Sequence, residues 1–166
     1  MMYTIISGTN RVGSHTEKVA NEYKRLLKER NIDSGILSLV DMDVLHRNPE
    51  FLKMEKEILI PTKEFIFILP EYNGTFPGVL KAMIDNTDIS KVWYFKKALL
   101  TGISSGRAGN LRGIDHLAAS LHYLKMNVHY NKLPISLIEK VMDANGRLNE
   151  ETLKAINGQL DEFINN

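Results

Sequence analysis

Ser7, Thr9, Arg11, Ser14 and Thr16 crowd hydroxyls and one guanidinium into a short stretch between the apolar pair Ile5-Ile6 and the start of a helical pattern. A strand-to-helix turn of this kind aims backbone N–H groups and the positive end of a helix dipole at one point, which suits a phosphate. His15 lies inside the same turn. A structural role accounts for part of it: Ser14-His15-Thr16-Glu17 reads as a capping box, with Ser14 capping the helix and Glu17 reaching back to it. That role explains Ser14 and Glu17 and leaves the other polar residues to the phosphate reading.

Two more polar turns follow apolar runs. Glu71-Tyr72-Asn73-Gly74-Thr75 comes directly after Glu64-Phe65-Ile66-Phe67-Ile68-Leu69-Pro70. Asn73-Gly74 suits a tight turn with positive φ angles. Tyr72 also offers an apolar face with a polar tip, and the N–H groups of such a turn can bond the edge of a flat heterocycle. The third turn is Ser104-Ser105-Gly106-Arg107-Ala108-Gly109-Asn110. Its glycines allow close backbone approach, and Arg107 is either a partner for a ligand's negative charge or a solvated loop cation.

The elements that position these turns alternate in kind. Strands are expected at Tyr3–Ser7, Ser34–Leu39, Glu64–Pro70, Ala98–Ser104 and, with a weaker pattern, Val128–Lys132 ahead of Pro134. Helices are expected from Ser14 to about Arg30, from Pro77 as a first helical residue, after the third turn with Leu111 through Leu124 on its apolar face, and from an Asn149 cap onward. The segment from Asp41 to Pro61 is hard to read and is assigned one helix between Pro49 and Pro61. Asn86 to Lys97 reads as a loop whose Trp93, Tyr94 and Phe95 suit either the core or an interface bordering the site. This alternation argues a single α/β domain over residues 1–166 built on a parallel sheet. Right-handed crossovers bring the C-terminal ends of such strands to one edge, where the three turns should converge.

Composition narrows the chemistry. A net charge of +1 gives no electrostatic footprint for nucleic acid or an acidic membrane surface, so a small-molecule partner is expected. The absence of cysteine removes disulfides, thiolate nucleophiles and cysteine-ligated metals, and any redox chemistry must come from a bound cofactor. No metal site is expected, since His116 and His122 lack the spacing of a zinc pair and His46 and His129 are isolated. Without a signal-type stretch or a membrane-length apolar run, the expectation is a cytoplasmic protein that does not enter a membrane.

Taken together, Ser7 to Thr16, Pro70 to Lys81 with Ile84-Asp85, and Ser105 to Gly109 resemble the three signature segments of the NADPH-dependent FMN reductase family. The middle segment is the most specific of the three. The resemblance implies a flavodoxin-like, doubly wound, five-stranded parallel sheet of order 2-1-3-4-5 with helices on both faces. It also implies bound FMN, NADPH or NADH as hydride donor, and a small electron acceptor such as a quinone, azo compound, free flavin or metal oxyanion. By the same resemblance Thr9, Arg11, Ser14, His15 and Thr16 hold the FMN phosphate. Pro70, Glu71, Tyr72, Asn73 and Gly74 line the isoalloxazine, and Ser105, Gly106 and Arg107 form the far wall.

No side chain is assigned as a catalytic acid or base, because the cofactor carries the chemistry. A homodimer or homotetramer is implied. The sequence departs from the family at Thr9 and Thr16, where serine and asparagine are common, at Asn110, where glycine is frequent, and in a short Asp41–Pro61 segment. The rival is a non-enzymatic flavodoxin-type FMN electron carrier. A chain at +1 lacks the acidic docking surface usual for such carriers.

Overall fold

The computed structural model describes residues 2–165. Its centre is β3 (Glu64–Pro70), in which Phe65 through Leu69 are fully buried. Alternation sends Phe65, Phe67 and Leu69 into one hydrophobic cluster and Ile66 and Ile68 into another, so the strand is packed on both faces. β3 pairs in parallel with β1 (Tyr3–Ser7) on one edge and β4 (Lys97–Ile103) on the other, and β1 pairs with β2 (Ser34–Ser38). The sheet order β2-β1-β3-β4-β5 is the one expected from the resemblance.

One face is covered by α1 (His15–Glu29) and α7 (Glu150–Asn165), which contribute Val19, Tyr23, Leu27, Ile156, Leu160 and Phe163. The other is covered by α2 (Pro49–Met54), α3 (Gly78–Asn86) and α5 (Leu111–Tyr123). The first helix is capped by Ser14, whose Oγ accepts from the Glu17 N–H at 3.2 Å. Asn149 caps α7 in the same way through Thr152, at 2.9 Å.

Several expectations are corrected. Pro77 is not the first helical residue but the cap of α3, with extended ψ. The loop after α3 contains a short helix, α4 (Ile89–Val92), and Leu111 is half-exposed instead of part of the buried stripe of α5. Of the two roles open to the aromatic triplet, Trp93 takes the core: it packs on Phe65 with ring centroids 5.0 Å apart and donates from Nε1 to Thr87 Oγ1 at 2.7 Å, whereas Phe95 is exposed.

The last strand is not continuous over Val128–Lys132. It is divided into β5 (Asn127–Val128) and β6 (Leu133–Ile135), both paired with β4, and a short α6 (Ile138–Val141) follows. A side chain fills the break. Gln159 of α7 donates from Nε2 to the carbonyls of Leu100 and Asn131, at 3.1 and 2.8 Å. Its Oε1 accepts from Tyr23 Oη at 2.6 Å and from Thr101 Oγ1 at 3.0 Å. Burial holds the Tyr23 hydroxyl protonated far above its ordinary range.

The segment read least clearly continues α2 as one π-helical turn, Glu55–Leu59, so the helix between Pro49 and Pro61 is present. It is fastened by Glu55. The buried carboxylate accepts both guanidinium nitrogens of Arg47, at 3.1 and 2.8 Å, and the Asp88 N–H. Arg47 donates in turn to the Asn86 carbonyl. Replacing Glu55 with alanine leaves the Asp88 N–H without its acceptor and removes the ion pair of the half-exposed Arg47, and should cost about 2 kcal/mol in denaturant unfolding. Glu55→Gln should cost less, because an amide oxygen still accepts from Asp88.

Candidate functional site

The C-terminal ends of β1, β3 and β4 lie side by side, so the three polar turns meet at one edge of the sheet. The first turn passes closely over β3: Gly8 N–H donates to the Ile68 carbonyl at 2.9 Å, and a Cβ on Gly8 would fall 2.8 Å from that oxygen. Beyond it, Thr9 is buried and Arg11, Val12 and Gly13 are exposed. Among the described residues, the N–H groups of residues 12–16 make no bond within the chain. They form the donor set of an exposed helix start. His15 Nδ1 is buried there without a hydrogen-bond partner.

The middle turn is a two-residue hairpin. Tyr72 and Thr75 exchange backbone bonds of 2.8 and 3.2 Å across Asn73 and Gly74, whose φ angles are 51° and 80°. Two consecutive positive φ values are the demand that an Asn-Gly pair meets. Tyr72 is not left free. Its Oη lies 2.6 Å from Thr9 Oγ1, and the Arg11 guanidinium stacks over its ring at 4.1 Å. The first and middle turns are therefore one unit.

Asn110 joins the third turn to the middle one. It is fully buried at φ 61°, and its Nδ2 donates to the carbonyls of Leu69 and Pro70, at 3.1 and 2.9 Å. The asparagine thus keeps a glycine-like backbone and adds a fork that holds the end of β3. Gly113 makes room for it: a Cβ there would sit 2.1 Å from Asn110 Oδ1. Ser105, Gly106 and Arg107 are exposed at the tip. The base of the turn is held by the segment after β6, with Leu137 N–H donating to the Gly106 carbonyl at 2.9 Å and Ser136 Oγ to the Arg107 carbonyl at 2.6 Å.

The residues singled out in the sequence thus gather on one rim. Thr16 differs in direction, because its side chain is buried on the inner side of α1 and only its N–H faces the turn's donor set. Glu71 and Pro70 are half-buried at the end of β3. Sequence reasoning missed the structural work of Asn110 and Ser136. It also missed Arg112 and His116, which reach the middle turn from α5: His116 Nδ1 lies 2.8 Å from Thr75 Oγ1.

The family model for NADPH-dependent FMN reductases matches residues 1–139. The chain belongs to that family. It is an oxidoreductase with a flavodoxin-like fold. It is 28% identical over 137 residues to a 2-hydroxy-1,4-benzoquinone reductase of Burkholderia sp., covering 80% of this chain and 75% of that protein. It is 26% identical over 168 aligned positions to a quinone reductase of Pseudomonas putida, covering 96% and 90% of the two chains. The fold matches that of FerB, a flavoenzyme NAD(P)H:acceptor oxidoreductase of Paracoccus denitrificans, with a TM-score of 0.81 at 22% identity over 99% of this chain and 95% of that one. No helix among the described residues of this family member is long and apolar enough to cross a membrane.

Asn110 gives the site its sharpest test of construction. Asn110→Ala loses both Nδ2 bonds and places an alanine at positive φ, for an expected loss of about 3 kcal/mol by thermal unfolding. Asn110→Gly keeps the backbone at ease and should lose only about half as much, so equal losses would contradict the assignment.

Proposed function

We propose that this chain is an FMN-dependent NAD(P)H oxidoreductase that reduces a small acceptor of the quinone type. The observation that carries the proposal is the rim itself, in which three turns are locked together while a run of N–H groups and the Arg11 charge remain open to a ligand. The family match and the quinone reductases among its relatives support the same reading.

The residues present fit FMN. Ser14, Arg11 and the unbonded N–H groups around Gly13 suit a phosphate dianion, with Thr9 holding the turn, Thr16 contributing its N–H and the orphaned His15 Nδ1 a further polar contact. Pro70, Glu71, Tyr72, Asn73 and Gly74 would lie along the isoalloxazine, where the N–H groups of the hairpin can meet its polar edge. Ser105, Gly106 and Arg107 would close the far side. Bound FMN supplies acceptance of a hydride from the nicotinamide and delivery of the two electrons to the acceptor. The chain binds, orients and leaves one face open, and none of its side chains needs to move a proton in the first step. The implied homodimer or homotetramer belongs to the same proposal. Ile89 and Tyr123, exposed beside Ile84 and Leu124 between α3 and α5, give a second copy an apolar strip to cover, which a light-scattering mass tests.

Anaerobic visible spectroscopy tests the function directly. FMN added to the protein should give two bound-flavin bands that bleach with NADPH or NADH and return with a quinone. Bands that persist would point to an electron carrier, and no uptake of FMN would overturn the reading. Arg11→Ala should weaken FMN binding about tenfold, the scale of one charge-assisted hydrogen bond, measured by flavin fluorescence quenching.

A further inference from the structure

Three arginines elsewhere in the fold are spent on carboxylates: Arg25 on Glu22 and Glu29, Arg30 on Asp161, Arg47 on Glu55. Those at the loop-bearing edge are not. Among the described residues, Arg11, Arg107 and Arg112 have no carboxylate within ion-pair distance, a state shared only by Arg147 in the turn before α7. Asp115, the acid nearest Arg112 in sequence, is held by Lys132 at 2.6 Å, and among the described residues Glu71 makes no ion pair.

One FMN phosphate accounts for Arg11 and leaves two cations on the same rim. Arg112 and His116 are four residues apart on α5 and so share a face. That face meets the middle turn at Gly74 and Thr75. Arg112 Nη1 lies 3.7 Å from where a Gly74 Cβ would stand, and His116 Nδ1 is bonded to Thr75 Oγ1 at 2.8 Å. With Thr75 donating to Nδ1, the neutral imidazole carries its proton on Nε2, so the exposed ring offers a donor without needing a charge. A guanidinium fork beside an imidazole donor suits a phosphoryl group.

We propose that Arg112 and His116, steadied by Thr75, bind a phosphoryl group of the nicotinamide donor. This rests on the flavin reading above. The group is either the 2′-phosphate that distinguishes NADPH or the diphosphate common to NADPH and NADH, and the chemistry at Arg112 is the same for both.

The test is calorimetry of the FMN-loaded protein with adenosine 2′,5′-bisphosphate, ADP and AMP, for wild type, Arg112→Ala, Arg112→Lys and His116→Ala. Arg112→Ala should weaken one of the first two ligands about tenfold or more, with AMP little affected and the lysine variant recovering part of the loss. A loss confined to the 2′,5′-bisphosphate assigns the 2′-phosphate and predicts a raised KM for NADPH alone at unchanged kcat. A loss confined to ADP assigns the diphosphate and predicts raised KM for both donors. FMN affinity should stay at the wild-type value, which separates this role from a structural one. Equal affinities for all three ligands in wild type and Arg112→Ala, with FMN bound normally, would overturn the subsite and leave the flavin reading intact. A wild-type protein that takes up no FMN would overturn both.

Discussion

β3 has no exposed residue from Phe65 to Leu69, and a strand in that position must be covered on two faces and paired on two edges. Each of those side chains contributes roughly 2 kcal/mol by leaving water, so the arrangement around β3 is the one the chain can least afford to alter. Parallel pairing on both edges then dictates where function can lie. The strands run the same way, their crossover helices take up the two faces, and the turns after β1, β3 and β4 are left at one open edge. The candidate site lies in the part of the molecule that the core does not use.

Convergence alone would give three neighbouring loops. What makes them a single rim is a few contacts between residues far apart in sequence: Tyr72 to Thr9, Arg11 over Tyr72, and the Asn110 fork on the carbonyls of Leu69 and Pro70. Each is a short contact between turns instead of within one, so the loops lose freedom before any ligand arrives. The electrostatics divide in the same way. Acidic partners neutralise Arg25, Arg30 and Arg47 where they serve the scaffold, while among the described residues Arg11, Arg107 and Arg112 at the rim have no such partner.

The periphery is stabilised by buried polar groups where apolar patterning is thin. Glu55 ties the segment after β2 to the end of α3 and the start of α4, and Gln159 seals the break between β5 and β6. Both are satisfied by several bonds, as buried polar groups must be. Gln159 lies beyond the residues matched by the family model, so the closing helix contributes to the sheet from outside that common part.

Much was legible in the sequence because it is local. The apolar run of β3, the Ser14 and Asn149 caps, the Asn73-Gly74 turn and the alternation of strands and helices depend on residues a few positions apart, and hydrophobic period and cap chemistry report them directly. The order of the sheet and the meeting of the three turns at one edge followed from that alternation and from the resemblance of the turn motifs. Tertiary structure decided what depends on distant partners. Trp93 is a core residue because Phe65 and Thr87 are there to receive it, and the fifth strand is broken because Gln159 replaces its ladder bonds. Arg47 finds Glu55, while Arg112 and His116 find the middle turn. No spacing in the chain announces such pairings: the sequence by itself determines which groups carry charge and hydrogen-bonding capacity, and the fold alone decides which of them are spent on one another.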